Sequence, residues 1–328
     1  METRQLGKTG LPVGVIGMGC WQLGADWGDV SESQAMATLH AAADAGVTFF
    51  DTADVYGDGR SERLVGRLLS ERPGAGLVVA TKCGRRVPQD PANYSAKALR
   101  EWAERSRQNL GLGTIPLTQL HCPPEAVYED DRVFATLDEM VSERILGAYG
   151  VSIETVDQGL RAIQRPGVAT VQVIFNAFRL KPLEKLLPAC QRSGVGAIVR
   201  VPLASGLLSG KYNQDTTFPA SDHRNYNRHG EAFDVGETFS GVPFEVGLAA
   251  ARRLLRRAVP EGASLPEVAL RWCADAPGVA SVIPGARSPM QAVANAAVGN
   301  RPPLPESVAS EIVDCYHDEI ASYVHDRW

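Results

Sequence analysis

Short apolar runs alternate with amphipathic segments along most of the chain. The first run, VGVIGMG at 13–19, precedes SESQAMATLHAAADAG, in which Ser31 and Gln34 have capping-box spacing and Gly46 suits a left-handed helix stop. The β-then-α pattern recurs in VTFFDT before SERLVGRLLSE, LVVATK before SAKALREWAERSRQNLG, LTQLHC before RVFATLDEMVSERI, LGAYGVS before TVDQGLRAIQ, and VATVQVIF before LEKLLPACQRSG. VGAIVRVP follows, and VASVIPG precedes SPMQAVANAAVG, which makes eight β-like runs. Near-continuous apolar strands separated by helices predict a parallel sheet covered on both faces. Eight such units predict a closed (β/α)8 TIM barrel. An open doubly wound sheet is the alternative, but GMGCWQLG after the first run lacks the G-x-G-x-x-G spacing of a dinucleotide-binding turn.

The stretch NQDTTFPASDHRNYNRHGEAFDVGETFSGVP interrupts this rhythm within a long loop at about 212–243, too long for an ordinary connection. Loops of that length in enzymes are often lids or binding loops. No shift of composition marks a second domain, so residues 1–328 are expected to form one barrel domain.

Composition narrows the function. With 44% apolar and 22% charged residues, the chain can bury a large core. A net charge of −5 with dispersed basic residues gives no general attraction to nucleic acid or anionic lipid. The N-terminal segment does not read as a signal peptide, and no apolar run reaches membrane-spanning length, so a soluble cytoplasmic protein is expected. The six Cys are dispersed and do not combine with the six His at zinc-ligand spacing; reduced thiols and no metal site are expected.

Polar residues close several apolar runs: Asp51 the second, Lys82 the third, His121 the fourth, Ser152 the fifth and Arg200 the seventh. In a barrel these C-terminal strand ends share the rim where active sites are built. Asp51, Tyr56, Lys82 and His121 would then face one pocket. An ammonium favours a nearby phenolate, so Lys82, held by Asp51, is expected to lower the pKa of Tyr56. His121 would orient a carbonyl while Tyr56 gives a proton to its oxygen, which is half of a carbonyl reduction. The hydride must come from a nicotinamide or flavin.

The motifs GVTFFDTADVYGDGRSERLVGRLL, VVATKCG, LTQLHCPP, YGVS, PLASGLLSGKY and VIPGARSPMQAVANA, in that order, resemble those of the aldo-keto reductase superfamily over nearly the whole chain. The opening GMGCWQLGADWGDVSESQA is similar to the bacterial inositol-operon and general-stress reductases. The resemblance implies an NADPH-dependent reductase of aldehydes or ketones, with Tyr56 as general acid, Asp51 and Lys82 as its tuning partners, and His121 orienting substrate. It also implies cofactor contacts at Cys20, Trp21 and Asp51, with Ser152 and Gln172 on the carboxamide. Arg200 would lie at the nicotinamide ring, and Pro202, Leu203, Ser205, Gly206 and Lys211 would follow along the pyrophosphate loop. Arg224 would close over the dinucleotide, and Gly285, Arg287, Gln291 and Asn295 would hold the 2′-phosphate and adenine. Trp21, Tyr56 and His121 would meet the substrate. The cations Lys211, Arg224 and Arg287 favour NADPH over NADH.

Two departures stand out. Ile153 replaces an Asn usual after Ser152, and Arg200 stands where many members stack an aromatic ring on the nicotinamide. The charge of Arg200 is expected to disfavour the oxidised, cationic ring.

Ordinary roles compete with these. An Asp after a strand is commonly a cap and a solitary His commonly structural; the set of four at successive strand ends is what points to catalysis. Cys83 and Cys122, next to Lys82 and His121, read as buried structural thiols, and the basic AARRLLRRAV as a solvated helix face. Trp21, Trp27 and Trp102 are expected in the pocket or the core. Two other functions stay open: a nucleotide-sensing subunit like the potassium-channel β subunits, and a cofactor-free barrel isomerase or lyase. The carbonyl substrate, the direction and the oligomeric state are not fixed by sequence.

Overall fold

The computed structural model describes residues 1–24 and 30–328, so Trp27 lies outside the described residues. Eight parallel strands run in sequential order: β3 (Met18–Gly19), β4 (Phe49–Asp51), β5 (Val78–Cys83), β6 (Leu117–His121), β7 (Tyr149–Ser152), β8 (Val168–Ile174), β9 (Gly196–Arg200) and β10 (Val279–Val282). Bridges from Ile16 to Val282 and from Gly19 to Gly285 join the first strand to the last and close the barrel. All eight expected runs carry these strands.

The first run differs in detail. Residues Pro12–Gly14 (β2) turn back against Thr3–Gln5 (β1) as an antiparallel hairpin, and only Met18–Gly19 enters the barrel as regular strand. A single apolar run hides this break because both parts are buried, one under the barrel floor and one in its wall. The helix Glu32–Asp44 is capped by Ser31, which accepts from the Gln34 N–H, and Gly46 is left-handed at φ 90°. The reciprocal half of the capping box is replaced: the Gln34 side chain donates instead to the carbonyl of Arg287 at 2.7 Å.

Strand periodicity explains why polar groups gather at one rim. Side chains two apart share a face. The inward positions read Phe49 then Asp51 on β4; Val78, Ala80 then Lys82 on β5; Leu117, Gln119 then His121 on β6; and Ile198 then Arg200 on β9. The lower inward residues form an apolar plug with Leu6 and Val13 from the hairpin segment. The outward residues pack with the helices into the larger core. The inward registers of β4, β5, β6 and β9 therefore change from apolar to polar toward their C-terminal ends.

The plug beneath the barrel leaves no room at Gly7. Its φ is +55°, and a Cβ there would overlap the Ala169 carbonyl and the Gly196 N–H. Gly7→Ala combines left-handed strain with backbone overlap and is expected to destabilise the protein by about 3 kcal/mol, read as a lower denaturant midpoint.

Outside the barrel, the helix Phe244–Arg257 is more than a solvated basic face. Arg253 binds Glu311 at 2.7 Å, Asp318 at 2.8 Å and Glu319 at 3.2 Å, tying this helix to the C-terminal segment.

Candidate active site

At the C-terminal rim lies a cleft of about 1390 Å³. Of the residues singled out from sequence, Asp51, Tyr56, His121, Cys20, Trp21, Gln172, Arg200, Pro202, Leu203, Ser205, Gly206, Lys211, Arg224, Gly285, Arg287, Gln291 and Asn295 line it. Lys82 and Ser152 are buried behind its wall.

Lys82 explains its own burial. Its ammonium contacts the Asp51 carboxylate, donates to the Thr52 carbonyl at 2.9 Å, and reaches the Tyr56 hydroxyl at 3.3 Å. The other oxygen of Asp51 accepts from Gln119 at 3.1 Å and Gln172 at 2.8 Å. The buried ion pair is thus hydrogen-bonded on both sides, the condition under which such a pair is tolerated. The Tyr56 ring meets His121 edge-on, with centroids 5.9 Å apart, and stacks beside Trp21 at 5.9 Å.

Burial dominates the protonation of this group. It pushes the Tyr56 phenol above its ordinary value, aided by Asp51 and Glu237, while Lys82 acts in the opposite direction. The expected net lowering by Lys82 is therefore overturned: the ammonium limits the rise without reversing it. Burial also opposes the charge of Lys82, but Asp51 and Tyr56 outweigh it and raise its pKa. Burial first, then the cations Arg85, Lys82 and Arg200, hold His121 well below the ordinary imidazole range, so the ring is neutral. Its Nδ1 is buried without a hydrogen-bond partner among the described residues.

The sequence-predicted polar contacts differ in what they hold. The Gln172 amide nitrogen is engaged with Asp51, and the Ser152 hydroxyl lies 3.5 Å from Cys122 Sγ. The Ser205 hydroxyl donates to the Glu237 carbonyl at 2.8 Å and accepts from the Phe239 N–H at 3.1 Å, pinning the 204–209 turn to the long loop. Arg224 pairs with Asp222, donates to the Tyr212 hydroxyl at 2.5 Å and lies over the Phe218 ring. Arg200 donates to the Ile153 carbonyl at 2.9 Å and is paired with Glu237 at 2.6 Å. Its positive charge is therefore faced by a carboxylate that the sequence reading did not include.

The long loop forms one wall of the cleft through Arg224, Phe233, Asp234 and Glu237. It is anchored by Trp328, whose indole donates to Asp234 at 3.1 Å while its ring stacks under the Arg179 guanidinium at 3.6 Å. Sequence reasoning missed Phe233, Glu237 and this anchor, because their partners lie far away in the chain. Trp21 is in the cleft, whereas Trp102 packs on Tyr94 at 5.5 Å. The six Cys are free and buried, and burial raises the Cys83 and Cys122 thiols, in keeping with structural roles.

Backbone strain concentrates at the rim. Cys122 at φ 47°, Val201 at φ 54°, Ala204 at φ 47° and Ser205 at φ 52° are left-handed without being glycine, a pattern associated with functional loops. Gly206, at φ 97°, lies so close to Tyr212 that a Cβ would strike the phenol.

The far end of the cleft suits an anion. Among the described residues neither Lys211 nor Arg287 forms an ion pair, unlike Arg85, Arg200 and Arg224. Beside Arg287 the helix Pro289–Ala297 begins at Ser288, whose hydroxyl accepts from the Gln291 N–H, while Pro289 has no N–H to offer. The cations Lys211 and Arg287 at one end, and the Tyr56 hydroxyl at the other, fit a phosphate-bearing dinucleotide.

The rim of this eight-stranded barrel thus carries a Tyr–Lys–Asp–His cluster. The sequence profile of the Aldo/keto reductase family matches residues 15–317, and the chain belongs to that family. It is 31% identical to the aldo-keto reductase YhdN of Bacillus subtilis over 298 residues, 89% of this chain and 86% of the relative. It is 29% identical to a probable voltage-gated potassium channel subunit beta of Oryza sativa, covering 96% of this chain and 95% of that one. The glycerol dehydrogenase AKR11B4 of Gluconobacter oxydans superposes with a TM-score of 0.79 at 29% identity, covering 98% of this chain and 96% of that one. A Klebsiella pneumoniae aldo-keto reductase solved with NADPH shares the fold, with a TM-score of 0.68 at 23% identity, over 96% of this chain and 95% of that one.

Proposed function

We propose that the protein is an NADPH-dependent reductase of a small aldehyde or ketone, with Tyr56 as its general acid. The observation that carries this reading is the Tyr56 hydroxyl 3.3 Å from a buried Lys82 and beside a neutral His121, in a cleft that ends at Lys211 and Arg287. NADPH, when bound, supplies the hydride to the carbonyl carbon. The protein's own residues handle the proton. Neutral His121 offers an N–H to the carbonyl oxygen and fixes its direction. Tyr56 gives its hydroxyl proton to that oxygen as negative charge develops there, and the adjacent ammonium of Lys82 stabilises the phenolate left behind. Asp51 keeps Lys82 charged and stationary, and solvent restores the proton.

Gln172, with its nitrogen engaged, offers its carbonyl oxygen to the carboxamide. Lys211 and Arg287 hold phosphate, Arg287 at the 2′ position. Arg287→Leu removes a charge-assisted contact and is expected to weaken NADPH binding by roughly 10- to 100-fold while changing NADH binding little. Fluorescence titration with both nucleotides checks this.

Consumption of NADPH by the purified protein over a panel of aldehydes and ketones tests the reading as a whole. The potassium-channel relative motivates a second reading, a nucleotide-sensing subunit; tight NADPH binding without turnover of any carbonyl would favour it.

A further inference from the structure

The charged groups that border the reacting end of the cleft are balanced. Arg200 closes β9 and lies inward, held by the Ile153 carbonyl at 2.9 Å and by Glu237 at 2.6 Å. Arg85 reaches Glu154 at 2.6 Å and Glu237 at 4.0 Å. Two guanidinium groups thus face two carboxylates, each lining the cleft. Glu237 is not there by accident of a mobile loop: its carbonyl accepts from Ser205, and its turn is stapled to the strained 204–209 segment. Arg200 acts electrostatically on His121, and Glu237 on Tyr56, so both charges are within reach of the reacting groups.

A nicotinamide that delivers to a carbonyl held by Tyr56 and His121 must lie in this same field. Its ring is cationic when oxidised and neutral when reduced, so any uncompensated charge nearby separates the affinities of the two forms. We infer that Glu237 is the counter-charge to Arg200 that sets the relative affinity of this protein for NADP+ and NADPH. The inference rests on the reductase reading of the cleft. With the pair intact, the ring meets a guanidinium plane of nearly cancelled charge. Without Glu237, Arg200 repels the oxidised ring; without Arg200, Glu237 attracts it.

Dissociation constants for NADP+, NADPH and 2′-phospho-ADP-ribose, which lacks the nicotinamide, are measured by calorimetry for the wild type, Glu237→Gln, Arg200→Gln and the double variant. The ratio Kd(NADP+)/Kd(NADPH) is expected to rise about tenfold in Glu237→Gln and to fall about tenfold in Arg200→Gln, as a unit charge several ångströms away in a partly buried site requires. Tenfold corresponds to about 30 mV in the potential of the bound two-electron couple. The neutral double variant is expected to return to the wild-type ratio, and 2′-phospho-ADP-ribose to bind all four proteins alike. Ratios that stay within twofold, or single variants that shift in the same direction, overturn the inference while leaving the reductase reading intact. Equal loss of all three ligands reduces the pair to a structural role and also overturns it. Failure of the wild type to bind either dinucleotide removes the reading and the inference together.

Discussion

Tyr56→Phe is expected to lower kcat for carbonyl reduction by about 10³-fold, within the range of a lost general acid, while NADPH affinity changes less than about twofold. The substitution removes one oxygen and keeps the ring that stacks beside Trp21 and meets His121 edge-on. What is lost is the proton donor, so a developing alkoxide finds only His121 and water. The pH profile of the wild type supplies a second test. Burial raises the Tyr56 pKa, so the phenol stays protonated through neutral pH, and reduction loses its acid only well into the alkaline range. His121, held well below ordinary imidazole values, contributes no limb near its usual pKa of about 6.5. A flat profile across neutrality with an alkaline decline is the expected result. A limb near neutrality would show that His121 titrates in the working enzyme, and an active Phe variant would remove Tyr56 from its role.

The barrel was legible because parallel strands buried on both faces are written as apolar runs, and five of the eight runs here, the second to fifth and the seventh, end in a polar residue near the rim. Periodicity alone brings Asp51, Lys82, His121 and Arg200 to one rim. It does not reveal how burial competes with charge: the influence of Lys82 on Tyr56 was readable in direction, but the desolvation that outweighs it belongs to the closed cleft. Nor does it separate two uses of one apolar run, which is why the Pro12–Gly14 hairpin strand was read as part of the first barrel strand. Glu237 was the residue of the site hardest to read from the sequence. Nothing in FDVGETFS marks its carboxylate as the partner of Arg200, because the pairing depends on a turn fixed by Ser205 and Trp328 from other parts of the chain. Strand ends are local facts; loop placement is a tertiary one.

The Lys82–Asp51 pair should separate stability from catalysis. Lys82→Met leaves the Asp51 carboxylate buried with only Gln119 and Gln172 as donors, and is expected to cost about 3–5 kcal/mol, the usual penalty for stranding one member of a buried pair. Asp51→Asn leaves the ammonium without its counter-charge, held by the Thr52 carbonyl and the Tyr56 hydroxyl, and is expected to cost a similar amount. The double variant Asp51→Asn with Lys82→Met removes both charges. Its Asn oxygen still accepts from Gln119 and Gln172, and the thioether fills the volume of the lysine stem. Most of the lost stability is therefore expected to return, read as the denaturant midpoint. Activity should not return with it. Lys82 is the group that lowers the phenol's pKa against burial, and without it Tyr56 becomes a weaker acid whose phenolate has lost its hydrogen-bonded counter-charge. A reduction rate about 10²-fold or more below wild type in the double variant, at near-wild-type stability, is the expected outcome. A double variant that regains activity along with stability would mean that the pair serves only to hold the rim together, and that the proton acid at Tyr56 needs no ammonium beside it.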